Sequence, residues 1–299
     1  MSTRITNTMV ARNVLADLNA TYDRLDRTRA KASSGKEITR PSDNPYATAR
    51  ALGMRESLEG TRQNQRNVQD AAGWQAATEQ ALAQMTDVVQ RARDLTVQGA
   101  TDTASPTARA AIAAEIDELV EELKEHGNAT YAGRYVFGGT LTTQPPYATG
   151  AVDAYGGDTQ TIAREIGPGV AITINLTGDR VLGSGGGDNK LLAVLRNVAA
   201  HLRAGDSASL RNTDIAALEA NLDALMDVRA ENGAKTNRLE SALDRLAEYE
   251  ETTIRQLSET EDADFAKTMV EYSTQQAAYQ AALKAGANIV QASLMDFLR

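Results

Sequence analysis

The residues best suited to chemistry are six carboxylates crowded into residues 115–125. Paired carboxylates can act as general acid and base, or they can hold a metal ion. No histidine or second acidic cluster converges on them from elsewhere in the sequence, and Lys124 stands at helical spacing from them. We therefore interpret them as the solvated face of a helix. They are Glu115, Asp117, Glu118, Glu121, Glu122 and Glu125.

The other chemistry-bearing residue types are scarce. Cysteine is absent, which excludes disulfides, thiolate nucleophiles and cysteine metal sites. His126 and His201 are the two histidines, and neither has a neighbour at ligand spacing. Residues 138–187 contain neither histidine nor cysteine, so a hydrolytic triad or a zinc site cannot be built from them alone. We predict no catalytic residues, metal or cofactor, and no enzymatic activity.

Two short motifs suggest ligands only weakly. The glycine-rich run 183–187 precedes a predicted helix, as in phosphate-binding loops. It lacks the lysine and the strand–loop–helix context of such loops, so we interpret it as a flexible connection. Residues 259–264 read ETEDAD, too short for a calcium loop. We expect Asp262 or Asp264 to cap the following helix.

Composition excludes further classes of partner. The net charge is −9, and arginine and lysine are scattered, which argues against nucleic acid. The first 18 residues lack the apolar core of a secretory signal, and no run of 18 apolar residues predicts membrane insertion. If the protein works outside the cell, we expect it to be exported by a route that does not require a secretory signal peptide.

The elements that dominate the chain are apolar stripes at its two ends. Both stripes alternate steps of four and three residues, which is the heptad pattern of a coiled coil. The C-terminal seam comprises Phe265, Met269, Tyr272, Tyr279, Leu283, Val290 and Phe297. The N-terminal seam comprises Leu15, Leu18, Tyr22 and Leu25. We predict that the two ends form one coiled coil.

These seams are diluted by polar or small residues such as Arg29, Gln276 and Gly286. A two-helix ribbon with so weak a seam is marginally stable alone. We expect it to become stable by packing against other copies. The alternative is a helix pair docked on the globular body of its own chain.

A proline-rich connection, residues 32–45, follows the first helix and reads ASSGKEITRPSDNP. Ser34-Gly35 can end a helix with a left-handed cap, and two prolines prevent the helix from continuing. We expect Ser42 or Asp43 to cap the next helix, with Pro45 in its first turn. The predicted hinge motif comprises Ser34, Gly35, Ile38, Arg40, Pro41, Ser42, Asp43 and Pro45.

Between the ends, helical patterns enclose a β-rich segment. Residues 46–99, with a possible break near Gly60, and 107–129 predict helices, as do 188–203 and 213–258. The first has a stripe at steps of three and four from Val68 to Ala92, and the second and third have apolar faces over 112–123 and 191–202. Residues 159–166 and 169–176 alternate like two strands joined by Gly167-Pro168. We predict a mainly α fold with a β-rich insert. The chain is expected to divide into three domains. These are 1–40 with 260–299 as terminal helices disordered in the monomer, 41–137 with 188–259 as a helical rod, and 138–187 as a projecting lobe.

The stretch SSGKEITRPSDNPYATARAL, the opening MSTRITNTMV and the ending ANIVQASLMDFLR resemble the bacterial flagellin superfamily. The Arg-Pro-Ser-Asp-x-Pro motif and Trp74 are similar to the version found in subunits of the hook–filament junction. YAGRYVFGG, residues 131–139, resembles the family's exit from a core helix. The resemblance spans nearly the whole chain and is weak in 140–187.

The resemblance implies a structural subunit that is secreted by the flagellar type III apparatus and located at the junction between hook and filament. It implies self-association in a helical assembly, contacts with the other junction protein and with flagellin, and an export chaperone that holds the C-terminal segment. The C-terminal seam would then serve both chaperone and assembly. Flagellin itself, the filament subunit, is the alternative.

Overall fold

The structure is a computed structural model that describes residues 7–150 and 152–297, without the side chains of 7, 8, 10, 11 and 289–297. The helices are α1 (Asn7–Ser34), α2 (Pro45–Gly99), α3 (Pro106–Gly127), α4 (Leu191–Ala204), α5 (Ser207–Ser209), α6 (Ile215–Glu261) and α7 (Phe265–Phe297). A π-helical turn, Leu210–Asp214, joins α5 to α6. The strands are β1 (Thr130–Tyr131), β2 (Arg134–Tyr135), β3 (Ala163–Gly167) and β4 (Val170–Thr173). The predicted fold class, mainly α with a small β insert, is confirmed, and α2 runs through Gly60 without a break.

The described residues form two compact units. The first contains the two ends of the chain, up to Gly60 and from Glu250 onwards. The second contains Thr61–Tyr249. The three ranges proposed from the sequence stay a prediction.

The second unit holds a continuous apolar core. The stripe predicted along α2 is buried at every position, from Val68 to Ala92. The predicted apolar faces of α3 and α4 are buried as well. Trp74 lies in this core, 3% exposed, with its ring edge-on to Tyr131 at 6.2 Å. Apolar periodicity alone therefore located this core correctly.

Polar contacts fix α6 against α2 inside the second unit. The Arg229 guanidinium lies 2.7 Å from a carboxylate oxygen of Glu79. The buried Asn232 amide donates to the Gln75 carbonyl at 3.2 Å. Because an amide in an apolar core must find a partner, this pair sets the register between the two helices.

Strands β3 and β4 form an antiparallel hairpin, with Arg164 opposite Ile172. Its turn places Gly169 at φ +69°, a left-handed conformation that favours glycine. Ile172, Ile174 and Leu176 alternate toward the same core as the helices. These side chains of the insert therefore share the core of the helices, which cover them from water. The assignment of 138–187 to a domain of its own stays a prediction.

Candidate assembly surface on the terminal helices

Helices α1 and α7, the terminal pair, pack antiparallel along each other. The rings of Tyr22 and Tyr279 lie 5.7 Å apart at 55°. A Cβ added to Gly286 would lie 3.0 Å from a methyl group of Val14, so the helices approach closely there. The inner stripe, buried or half-buried, comprises Val14, Leu18, Thr21, Leu25, Thr28 and Ala32 on α1 and Thr268, Tyr272, Gln275, Tyr279, Ala282 and Gly286 on α7.

The inner stripe contains little buried apolar surface. Among the described side chains of the terminal pair, the fully buried positions are Thr21, Thr28, Thr268 and Gly286. The hydroxyls of Thr21 and Thr28 donate to carbonyls of their own helix, at 2.8 and 2.9 Å. Since apolar burial is the main source of stability for helix pairs, this contact contributes little free energy of folding.

A second set of apolar side chains remains in solvent beside the contact. This outer stripe comprises Leu15, Tyr22, Phe265, Met269 and Leu283, which are 59%, 51%, 65%, 42% and 43% exposed. All five belong to the predicted seams. Large exposed apolar groups aligned on one pair of helices are typical of a surface that binds another protein.

The remaining residues of the two predicted seams do not belong to the outer stripe. Leu18, Leu25, Tyr272 and Tyr279 are half-buried in the contact between α1 and α7. Val290 and Phe297 lie in α7, but their side chains are outside the described residues. The single seam predicted on each helix thus corresponds to two stripes, one facing the partner helix and one facing solvent. The role of these residues in assembly or chaperone binding stays a prediction.

The hinge after α1 is tied to the short connection before α7 by a clip, which we define as residues 35–37 with 261–263. The backbone amide of Glu37 donates to the Glu261 carbonyl at 2.7 Å, and that of Ala263 donates to the Gly35 carbonyl at 2.9 Å. Between them, the Lys36 ammonium lies 2.5 Å from the Asp262 carboxylate. This hydrogen bond raises the pKa of Lys36 and lowers that of Asp262. The loop that follows α1 and the connection that precedes α7 therefore form one ordered unit.

The helix caps around the hinge follow most of the sequence predictions. Gly35 has φ +68°, and its amide donates to the Lys31 carbonyl at 2.9 Å, which is the predicted left-handed cap. Asp264 caps α7 by accepting from the Lys267 amide at 3.0 Å. The prediction that Ser42 or Asp43 caps α2 is wrong, because Asn44 accepts from the amide of Ala47 instead, at 3.1 Å.

Asp43 instead closes the hinge loop on itself. One carboxylate oxygen accepts from the Arg40 amide at 2.8 Å and from the amide and hydroxyl of Thr39 at 3.3 and 3.1 Å. The Arg40 amide is the largest of the contacts that hold the pKa of Asp43 below its ordinary value. The side chains of Ser34, Arg40, Pro41, Ser42 and Pro45 are exposed, and Ile38 is half-buried. The hinge motif is therefore an ordered loop that presents its polar residues to solvent.

Comparisons with known proteins identify the family that has this architecture. The model of the bacterial flagellin N-terminal helical region matches residues 5–142, and that of the C-terminal helical region matches residues 215–298. Together they span about three quarters of the chain, including both helices of the terminal pair. The chain belongs to the bacterial flagellin family.

Two curated members of the flagellin family align over almost their whole length. Flagellar hook-associated protein 3 of Escherichia coli is 29% identical over 88% of this chain and 90% of its own. Flagellin FlaB2 of Treponema pallidum is 28% identical over 90% of each chain. The solved flagellar junction protein FlgL of Legionella pneumophila has the same fold, with a TM-score of 0.59 over 71% of this chain and 99% of its own at 14% identity.

The flagellin family consists of structural flagellar proteins, and the chain is accordingly not an enzyme. Within residues 7–150 and 152–297, no group of three acidic, histidine or cysteine side chains is arranged to hold a metal ion. In the same part of the chain, no helix has the length and apolar character needed to cross a membrane.

Half of the six carboxylates of α3 form ion pairs with arginines. Arg91 reaches Glu115 at 2.6 Å, and Arg196 reaches both Asp117 and Glu121 at 3.1 Å. These pairs join α3 to its neighbours, as expected of a structural helix face. The exposed carboxylates that remain are Glu118, Glu122 and Glu125.

A buried part of this ion network was not visible from the sequence. The side chain of Lys124 is 0% exposed, and its ammonium lies 2.6 Å from the Asp153 carboxylate, which Arg196 also contacts at 3.0 Å. Burial raises the pKa of Asp153, but the two cations outweigh it and the pKa is lowered. Lys124 does pair with Glu121 on its own helix, at 3.1 Å, but its placement on a solvated face was wrong because the side chain is buried. Its other carboxylate partner, Asp153, is 29 positions away in a loop, beyond the reach of a helical pattern.

The remaining candidates for ligand chemistry are tied within the chain. In the glycine-rich run, Asp188 accepts from the Ser184 amide at 2.7 Å, which leaves a closed loop in place of a phosphate cradle. His201 bonds through Nδ1 to the buried Asp214 carboxylate at 2.7 Å. His126 has a distant contact of 3.8 Å with Glu122. These contacts anchor loops and helix ends.

Proposed function

We propose that this chain is a structural subunit of the hook–filament junction and that the terminal pair carries its assembly. The observation that carries the proposal is that large apolar residues of this pair are exposed to solvent, whereas the buried positions between the two helices are mostly small or polar. The inner stripe buries mostly threonine and glycine, whereas the outer stripe leaves Phe265 and Leu15 more than half exposed. Such a pair gains most of its apolar burial when other subunits cover it.

Coupled folding and assembly is the mechanism that this distribution supports. A pair with little internal burial is marginal in the monomer, and its ordering entropy is offset when the outer stripe is buried. A chain with such ends is suited to export in an unfolded state through the flagellar type III apparatus. In the cell, a chaperone would cover the C-terminal seam until assembly.

The junction is favoured over the filament by the hinge motif. Arg40-Pro41-Ser42-Asp43-Asn44-Pro45 and Trp74 are similar to the junction version of the family. Hook-associated protein 3 of Escherichia coli is one of the relatives whose names associate them with the hook. Flagellin remains the second candidate, because a filament protein of Treponema pallidum matches over a similar length. The expected neighbours are the other junction protein and flagellin.

Deletion of the gene distinguishes the two candidates. A junction subunit is needed before the filament can start, so deletion should leave bare hooks and release flagellin into the medium. Electron microscopy of the cells and immunoblotting of the medium measure both. Complementation with the intact gene should restore filaments. Loss of the main filament protein from cells and medium alike would instead identify the chain as flagellin.

A further inference from the structure

A groove opens beside the hinge, between the end of α1 and the loop that leads to α2. Its volume is about 610 Å³. Its lining is mostly polar, and all of it lies in the first unit. The lining residues are Arg27, Ala30, Lys31, Glu37, Ile38, Thr39, Arg40, Ser42, Asp43, Asn44 and Thr260.

The groove carries two arginines that form no ion pair in the described part of the chain, although the charge of Asp43 attracts that of Arg40. Lys31 pairs with Glu37 at 2.5 Å. Arg27 and Arg40 have no ion pair within 4 Å among residues 7–150 and 152–297, and both are exposed. Asp43 is occupied by hydroxyl and amide donors of the loop. In a chain of net charge −9, a lining with more cations than carboxylates is an exception that suits an acidic ligand.

The groove is also preformed. The Asp43 hydrogen bonds close the loop, and the clip of residues 35–37 with 261–263 fixes its base. The ion pair between Lys31 and Glu37 joins α1 to the loop across the groove. Since these contacts hold the backbone that carries the two guanidiniums, binding loses less conformational entropy than it would on a mobile loop.

An acidic surface lies on α3. Glu118, Glu122 and Glu125 are exposed and share one face of the helix, at steps of four and three. They span about 10 Å along the axis. None has a lysine or arginine partner among the described residues, whereas Glu115, on the same helix, is paired with an arginine. This acidic face is thus left over after the internal ion pairs of the helix are made.

We propose that the hinge groove of one copy binds the acidic face of α3 on a second copy. The inference rests on the proposed function, because it assumes that copies pack side by side. Each copy carries one groove and one acidic face, so the contact joins two different surfaces. A contact of that kind propagates from copy to copy and builds a ring or a helix, whereas a contact between identical surfaces stops at a dimer.

Introduced cysteines test the contact directly, because the natural chain has none. Ser42→Cys places a thiol in the groove, and Ala114→Cys places one on α3, a turn before Glu118. The double variant is expressed in cells that lack the native gene, and isolated flagella are treated with a mild oxidant. We expect disulfide-linked dimers and higher multimers from the double variant. Each single variant, with one thiol per copy, should give neither a ladder nor a dimer.

Charge reversal supplies a second readout. Arg27→Glu with Arg40→Glu, or Glu118→Lys with Glu122→Lys, should each lower incorporation into flagella by about tenfold, since like charges then face each other. A chain that carries all four changes should recover incorporation. Arg238→Glu is the matched control, an exposed arginine outside the groove. Circular dichroism verifies that every variant is helical.

The possible outcomes separate this inference from the proposed function. If the double cysteine variant enters flagella but gives no linked multimers, the groove does not bind the acidic face of α3 and the inference is overturned. Incorporation of the charge-reversed variants at the normal level would overturn it too. If the unaltered protein is absent from flagella, the proposed function itself fails.

Discussion

Substitution of the outer stripe should abolish assembly and leave the fold of the monomer intact. The variant that tests this is Phe265→Gln with Met269→Gln and Leu283→Gln. These side chains are 65%, 42% and 43% exposed, so glutamine can occupy each position in water. The inner stripe and the apolar core of the second unit are unchanged. Far-UV circular dichroism and the thermal midpoint should therefore match those of the unaltered protein.

The size of the effect follows from the exposed fractions. Complete burial of a leucine, methionine or phenylalanine side chain stabilises by about 1.5–3 kcal/mol. Completing the burial of Phe265 from its exposed 65% contributes about 1.5 kcal/mol, and Met269 and Leu283 contribute about 1 kcal/mol each. The sum of about 3.5 kcal/mol corresponds to a contact between subunits that is roughly 300-fold weaker.

Incorporation into flagella is the assay, with quantitative immunoblotting of isolated flagella and of the culture medium. The variant should appear in the medium and be strongly reduced in flagella. Val97→Gln with Met226→Gln is the matched control, since these residues are 45% and 48% exposed but lie in the second unit. Normal incorporation of the triple variant would refute the assignment of the outer stripe to assembly. Loss of helix content would show that the stripe supports the monomer instead.

Three predictions concern the second unit, each measured by urea unfolding. Lys124→Met should destabilise by about 3 kcal/mol, because it leaves the half-buried carboxylates of Asp153 and Glu121 short of a cation. Gly233→Ala should stabilise by about 0.5–1 kcal/mol, since its Cβ meets only open space, whereas Gly73→Ala should destabilise, since its Cβ would lie 2.3 Å from a tyrosine hydroxyl. Hydrogen bonds from Arg180 and from a nearby lysine lower the pKa of Glu231 to about 2, so this carboxylate stabilises the fold above pH 4.5 and loses that effect as the pH falls toward 2. The contribution is about 1 kcal/mol after solvent screening, and Arg180→Met should remove most of it.

Opposite signs would contradict these predictions one by one. A neutral Lys124→Met variant would mean that Asp153 does not need its lysine. Equal effects of alanine at positions 73 and 233 would contradict the close approach seen at Gly73. If Arg180→Met leaves the acid unfolding curve unchanged between pH 4.5 and 2, the pairing of Glu231 does not govern that range.

The sequence predicted the core of the second unit well, because each apolar helix face there packs into the core of the same chain. Val68, Leu82 and Met85 of α2 are apolar and buried, as their spacing indicated. On α7 the same reasoning merged two stripes, since Tyr272 faces α1 whereas Met269 faces solvent. Apolar periodicity shows where a helix seeks a partner, but it does not distinguish a partner in the same chain from one in another copy.

The threonines of the inner stripe were missed because they are polar. Thr21, Thr28 and Thr268 are buried, and their hydroxyls donate to backbone carbonyls four residues earlier in the chain, so no sequence pattern marks them as contacts. Gly286 carried a usable signal, since a glycine inside a long helix is unfavourable unless another backbone or side chain comes close. The prediction that Gly286 dilutes the seam overlooked this role, which is to admit a methyl group of Val14.

The sequence around the hinge predicted some of the helix caps correctly and others not. Gly35 and Asp264 have the predicted capping roles because each is the suitable residue at its helix end. Asp43 and Asn44 are both good helix caps next to Pro45, and the choice between them depends on contacts inside the loop. Asp43 is held by the amide of Arg40, which leaves Asn44 to cap α2. The long-range pair of Lys36 and Asp262 had no signal in the sequence.

Immunogold electron microscopy of intact cells tests the central claim most directly. Antibody against the second unit, Thr61–Tyr249, should label the boundary between hook and filament and nothing beyond it. Label along the whole filament would make the chain a flagellin and contradict the assignment to the junction that rests on the hinge motif. Absence of label from flagella would contradict the account of the terminal pair as an assembly surface of the flagellum.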